Sequence, residues 1–222
     1  MKIIITAATA QEWMPAFLNM PALYTGENGK IKISFHVSGV GMLASAVSFT
    51  KLILHDKPDF ILQAGIAGTF LNEINLGNVV AVHNDVPADM GVMENNIWKD
   101  IFDLKLEQSN RLPFTNCTLP NTHLQKYNLL HLPQVNAVTV NTVSTNKTTI
   151  KTIIKKYNPA VESMEGAALH YVCRELNTPF LQMRSISNYI GERNKTKWKM
   201  QLAIDNLNKL ILQYADELYK II

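Results

Sequence analysis

The sequence predicts an α/β fold: one β-sheet with helices on both faces, a three-layer α/β/α arrangement. Short apolar, β-branched runs alternate with segments of helical period along most of the chain. Strand, helix, strand in repetition is the pattern of a sheet covered on both sides. The 222 residues, 47% of them apolar, suffice for one α/β domain with a sizeable core. No internal repeat, low-complexity tract or linker interrupts them, so residues 1–222 are expected to form a single domain.

The first run, "KIIITAA", reads as a central strand because Ile-Ile-Ile-Thr suits a strand buried on both faces. The same stretch has the outline of a weak signal peptide, but its cleavage would remove the first member of the sheet. "AQEWMPAFL" reads as a short helix that Pro15 shortens. "IKISFHVSG" is the next strand, and "GMLASAVSFTKLILHD" a helix ended by Lys57 and Pro58. "DFILQAGIAG" reads as a strand running into a glycine turn, followed by a strand in "GNVVAV". Later come strands in "NAVTVNTVS" and "LQMRSIS", with a helix in "SMEGAALHYVCREL" between them. The last helix has the cleanest period: Met200, Ala203, Ile204, Leu207, Leu210, Ile211, Tyr214 and Leu218 form one stripe. The stretch from His83 to Gln134 is rich in Asn, Pro and Asp and has no clear period. It reads as an excursion forming a lid, an interface or part of a pocket.

A net charge of +3 is too small for a nucleic-acid surface, and the lysines fall in short pieces such as "KTIIKKYN" and "NKTKWK". No apolar run approaches the roughly 20 residues needed to span a bilayer. Cys117 and Cys173 form neither a metal spacing nor a disulfide framework, which suits a reducing cytoplasm.

Four places at strand ends or helix starts could carry chemistry, since open α/β sheets place ligands there. Glu12 follows the first strand. "AGIAGTF" brings Ile66, Ala67 and Gly68, with glycines that allow close backbone approach. "ESMEGAA" opens a helix with Glu162, Met164 and Glu165, and "RSISN" ends in Ser187 and Asn188.

In order and spacing, "VSGVGMLASAVS", "KPDFILQAGIAG", "VESMEGAA" and "PFLQMRSISN" resemble the nucleoside phosphorylase and nucleosidase superfamily. The resemblance covers almost the whole chain and is loosest from His83 to Gln134. It implies a central mixed sheet partly closed into a barrel, and a homo-oligomer. It also implies cleavage of a purine nucleoside's N-glycosidic bond without metal or organic cofactor. Met164 and Glu165 match the pair that holds the ribose, and Glu12 the carboxylate that activates water in the nucleosidases. Asn188 matches the residue that meets the purine at N7 and its 6-substituent. Superfamily phosphorylases bring arginines near the first strand and the glycine turn, whereas this chain has "ATAQEW" after the first strand, and in the turn Ile66 stands where Ser or Thr is common. That favours water over phosphate.

The amide at position 188 is informative. Its NH₂ suits O6 of a 6-oxopurine, and its carbonyl suits a protonated N7. The related methylthioadenosine/S-adenosylhomocysteine nucleosidases carry Asp there and release adenine. "NTVS", "ESMEGAALHYVC", "RSISNYIGERN" and Trp198 are similar to the futalosine hydrolase family. That family releases hypoxanthine from a nucleoside with a carboxyphenyl-ketone arm on its 5′ side, in menaquinone biosynthesis. "NTVSTN" lacks the aromatic that stacks on adenine in the related nucleosidases. Arg193, beyond Asn188 in the same loop, is the candidate fork for the arm's carboxylate.

Overall fold

A computed structural model describes residues 1–25, 29–95 and 97–222. The larger strands are β1 (Lys2–Ala7), β2 (Lys32–Val37), β3 (Phe60–Thr69), β4 (Val79–Asp85), β8 (Gln134–Thr139), β9 (Val161–Ser163) and β10 (Phe180–Tyr189). Between β4 and β8 lie a hairpin of β5 (Gly91–Glu94) and β6 (Ile97–Asp100), and the short β7 (Leu119–Pro120). Helices are α1 (Met14–Asn19), α2 (Ala22–Thr25), α3 (Met42–Asp56), α4 (Leu124–Tyr127), α5 (Lys147–Tyr157), α6 (Gly166–Glu175) and α7 (Met200–Ile221).

The sheet closes on itself. β3 pairs with β10, β10 with β4, β4 with β8, β8 with β9, and β9 again with β3. β1 and β2 extend it from β3. The β10–β4 and β3–β9 ladders are antiparallel and the others in the ring parallel, so this is a mixed, barrel-like sheet flanked by helices.

Period-two alternation divides the core. Ile3, Ile5, Phe60, Leu62, Leu181 and Met183 face Leu207, Ile211, Tyr214 and Leu218 of α7. Ile4, Ile61 and Phe180 point the other way, onto Phe49, Leu52 and Ile53 of α3 and Leu169, Val172 and Cys173 of α6. Ala67, Val80, Val82, Ala137, Val161 and Ile186 form a third cluster from the ring strands.

Several sequence expectations need correcting. "AGIAG" is no turn: β3 continues through both glycines to Thr69 because β10 pairs alongside it. Gly65 is small because a Cβ there would run into the Arg184 guanidinium. Pro15 sits in the first turn of α1, where its missing N–H costs nothing, and a short 3₁₀ turn over Ala10–Glu12 precedes it. "NKTTIKTIIKKYN" contains α5, capped by the Asn146 side chain, which accepts from the Thr148 and Thr149 amides. The excursion folds onto α6: Phe114 and Leu119 pack on Ala167, and Arg174 donates to the carbonyls of Pro113 and Pro120.

Candidate active site

A cavity of about 370 Å³ opens where the C-terminal parts of β3 and β10 meet the turns after β1 and β9. Glu12, Ile66, Ala67, Gly68, Met164, Glu165, Ser187 and Asn188 all line it. Val40, Val143, Ile190, Trp198, Met200 and Ile204 supply apolar wall. Arg193 does not reach it: the side chain is exposed and its guanidinium lies over the Trp198 ring, 5.7 Å from the centroid. No described residue of the 83–134 excursion lines the cavity.

Glu12 is 7% exposed and firmly held. Its Oε1 accepts from the Ile66 amide at 3.1 Å, and its Oε2 from the Thr9 amide at 3.0 Å and Thr9 Oγ1 at 3.2 Å. The Ile66 amide is thus spent on the carboxylate and does not face a ligand. Behind Glu12, Asn208 of α7 donates to its main-chain carbonyl at 2.8 Å and accepts from the Ala16 amide at 2.8 Å.

Glu165 caps α6, and its Oε1 accepts from the Gly41 amide at 3.1 Å. Gly41 has φ +87°, a conformation open to glycine, which lets the turn before α3 present that N–H. Burial pushes the Glu165 carboxyl up; Arg184 and the Gly41 amide pull it down, and the Glu12 charge adds to the rise.

Arg184 lies beneath the site at 2% exposure, with Nη1 3.7 Å from Glu165 Oε2. It donates to the Ile66 carbonyl at 3.3 Å and to Gln63 Oε1 at 3.1 Å. Gln182 accepts from Arg184 Nε at 3.0 Å and donates to His170 Nε2 at 2.7 Å and Asp85 Oδ2 at 3.3 Å. The Leu119 carbonyl, 2.7 Å from His170 Nδ1, fixes the ring as the Nδ1–H tautomer. That leaves Nε2 as an acceptor and orients the Gln182 amide. Burial holds His170 down to about 3 and lifts Asp85 to about 6.

Asn188 sits just past a bulge in β10, where the register against β3 shifts between Ile186 and Asn188. Its Oδ1 accepts from Ser187 Oγ at 2.8 Å, and its Nδ2 donates to the Tyr189 carbonyl at 3.1 Å. A carbonyl only accepts, so the amide's orientation is fixed, and one N–H and one lone pair remain for a ligand.

Arg184 and Asn208 escaped sequence reasoning as site residues. Each left a signal: Arg184 interrupts the apolar strand "PFLQM", and Asn208 interrupts the buried stripe of α7.

A family model described as the phosphorylase superfamily matches residues 20–216. The chain belongs to this superfamily. It is 26% identical over 215 residues to a 5′-methylthioadenosine/S-adenosylhomocysteine nucleosidase of Pseudoalteromonas translucida, covering 88% of this chain and 84% of that protein. It is 25% identical over 183 residues to a futalosine hydrolase of Thermus thermophilus, covering 81% and 80%. The crystal structure of a 5′-methylthioadenosine/S-adenosylhomocysteine nucleosidase from Colwellia psychrerythraea, in complex with adenine, shares the fold. The TM-score is 0.78 at 21% identity, over 98% of this chain and 96% of that one. Among the described residues, no helix is long and apolar enough to cross a membrane.

Proposed function

We propose that this chain hydrolyses the N-glycosidic bond of a purine nucleoside, that the base is a 6-oxopurine, and that the substrate is futalosine. The observation that carries this reading is the meeting of Glu12, Glu165 and Asn188 around one cavity. Glu165 accepts the ribose 2′ and 3′ hydroxyls, with Met164 beside it. As the bond from C1′ to the purine breaks, oxocarbenium character grows on the sugar, and Glu12 takes a proton from the attacking water. Negative charge moves onto the leaving purine. Asn188 donates to O6, where that charge collects; N7 takes a proton from solvent, and the Asn188 carbonyl accepts from the N7–H so formed. Ser187, Ile66, Ala67 and Gly68 shape the floor beneath the base.

Water is the nucleophile on this reading because, among the described residues, no cationic side chain lines the cavity to hold phosphate. Arg184 does not line the cavity, and Ile66, Gln63, Gln182 and Glu165 engage its guanidinium. A second reading takes 5′-methylthioadenosine or S-adenosylhomocysteine as substrate. It is favoured by the names of several relatives, such as the Pseudoalteromonas nucleosidase. Asn188 argues against it: with its carbonyl turned to N7–H, its NH₂ meets the 6-amino group of adenine donor against donor.

The test is chromatographic: futalosine, inosine and 5′-methylthioadenosine are each incubated with and without phosphate. Release of hypoxanthine from futalosine without phosphate is expected. Strict phosphate dependence makes the protein a phosphorylase, and preference for methylthioadenosine establishes the second reading. No turnover of any of the three leaves a nucleoside-binding protein. The working form is a cytoplasmic homo-oligomer. Leu43, Val47 and Leu54 of α3 are exposed, as is Val40 at the cavity wall, and a second copy would cover them. Light scattering coupled to gel filtration checks this.

A further inference from the structure

Three neighbouring strands place a row of residues across the cavity. On β10 Asn188 stands opposite Gly68 of β3, and Gly68 stands opposite Glu162 of β9. Residues directly opposite in a sheet point to the same face. Gly68 leaves room between an amide and a carboxylate; the Ile190 side chain enters it, and Asn188 Nδ2 leans over it, 3.1 Å from where a Cβ would stand.

Glu162 has no part in the reaction derived above, yet it lines the cavity at 4% exposure. Its Oε1 accepts from the Ser144 amide at 3.0 Å. Its Oε2 and Ser144 Oγ are both closed off from solvent without a well-formed hydrogen bond, though the Ser144 hydroxyl lies near enough to draw the carboxyl down against the rise that burial gives it. A buried carboxylate oxygen without a donor is costly, and buried polar atoms almost always find one. A ligand beside this wall can bring the donor.

The chemistry of the base says which. A 6-oxopurine carries N1–H next to its C6 carbonyl, whereas a 6-aminopurine has a bare lone pair at N1. An ionised carboxylate only accepts. We infer that Glu162 is a second reader of the base, taking the N1–H of a 6-oxopurine while Asn188 meets O6 and N7. This rests on the reading of the site given above. Val143, 37% exposed, borders both this cavity and the one beyond it, and the contact requires its side chain to turn aside. Adenine meets lone pair against lone pair at Glu162, so the two residues select the same class of base from opposite ends of its C6 edge.

The competing role is a tether: Glu162 holds the loop of Ser144 and nothing more. Glu162→Gln separates the two, because glutamine keeps an acceptor for the Ser144 amide and offers an N–H to N1. The measurement is kcat/KM for a 6-oxo and a 6-amino nucleoside with the same 5′ group, in wild type, E162Q and N188D. In E162Q the ratio of 6-oxo to 6-amino should fall by about 10- to 100-fold. A ratio within about twofold of wild type, with both substrates affected alike, reduces Glu162 to a tether and overturns the inference. N188D reports separately on the parent reading: an unmoved ratio there, with a moved ratio in E162Q, removes Asn188 and keeps Glu162. A wild type that hydrolyses neither nucleoside ends both. Should E162Q not fold, product inhibition of the wild type decides. 1-Deazahypoxanthine keeps the C6 carbonyl and N7 but lacks N1–H, and should inhibit at least about tenfold more weakly than hypoxanthine. Equal inhibition overturns the inference.

Discussion

Asn208 of the last helix donates to the main-chain carbonyl of Glu12, 2.8 Å away and 196 positions earlier in the chain. The same side chain accepts from the Ala16 amide. Asn208→Ala leaves two buried main-chain groups unpaired. The expected cost is about 2–4 kcal/mol of stability, with a fall in kcat as the Glu12 turn loosens. Denaturant unfolding and steady-state kinetics on one preparation check both. A stable variant with wild-type kcat would show that α7 does not position Glu12.

Glu12→Gln should cut turnover by roughly 10²- to 10⁴-fold, because an amide cannot take a proton from water. It should also lower the melting temperature. Both carboxylate oxygens accept main-chain N–H groups, from Ile66 and Thr9, and the new NH₂ must face one of them. Substrate binding, measured by calorimetry, should persist. Near-normal turnover removes Glu12 from the chemistry.

Asn188→Asp places one oxygen against the Tyr189 carbonyl, which now accepts from Nδ2. Two acceptors at that distance push the new carboxyl up, and its protonated form can satisfy Tyr189 or the base, not both. The expected loss for a 6-oxo substrate is about 2–4 kcal/mol of transition-state binding. Relative kcat/KM should move toward the 6-amino partner with the same 5′ group. A fixed ratio would show that position 188 does not read the base.

Arg193 lies outside the cavity, on the ring of Trp198, which lines it. From there it can meet the charged end of a long 5′ arm but not the nucleoside itself. Arg193→Ala should raise KM for futalosine several-fold and leave inosine little changed. Equal effects on both would assign Arg193 to packing on Trp198.

Asp85 and His170, joined through Gln182, oppose each other with pH. His170 titrates near 3 in the folded chain against 6.5 unfolded, so stability is lost as pH falls below 6.5. Asp85 titrates near 6 against 3.8, so the folded chain gains stability as pH falls through 6. Between about pH 4 and 6 the two slopes cancel. Asp85→Asn should expose the histidine, with stability falling by up to about 1.4 kcal/mol per pH unit below pH 6 relative to wild type. Unfolding curves at pH 5 and 7 measure the difference; parallel changes in both proteins refute it.

Legibility in the sequence followed how local each signal is. Ile3, Ile4 and Ile5 announce a strand packed on both faces, and the α7 stripe announces its own buried side. β9 spans only Val161–Ser163, too short for any period, and is held by its neighbours in the ring. The glycines of β3 looked like a turn because their reason is remote: Arg184, from a strand more than a hundred residues later, occupies the space of a side chain at Gly65. Glu12, Glu165 and Asn188 could be named because each ends a strand or opens a helix. Arg184, Gln182 and Asn208 work by contacts distant in sequence: a polar residue in an apolar pattern marks Arg184 and Asn208 as unusual but does not say what they touch.

Closure of the ring bears on how products depart. The cavity floor belongs to β3 and β10, paired with each other along nearly their whole length. Prising the floor apart breaks a long ladder, so its amides should exchange with solvent only at the rate of global unfolding. The opposite wall has no such ladder; the Lys199 amide donates to the Ser187 carbonyl of β10 at 2.8 Å. Val40 comes from the loop before α3, Trp198 from the segment leading into α7, and Met200 opens α7 itself, all outside the strand ladders. On the proposed reaction the freed base and sugar exit past these three side chains, and residues 191–198, between amides bonded to β3 and β10, should show the fastest amide exchange around the cavity. Turnover at saturation then becomes sensitive to solvent viscosity whenever that exit, and not bond cleavage, is the slower event.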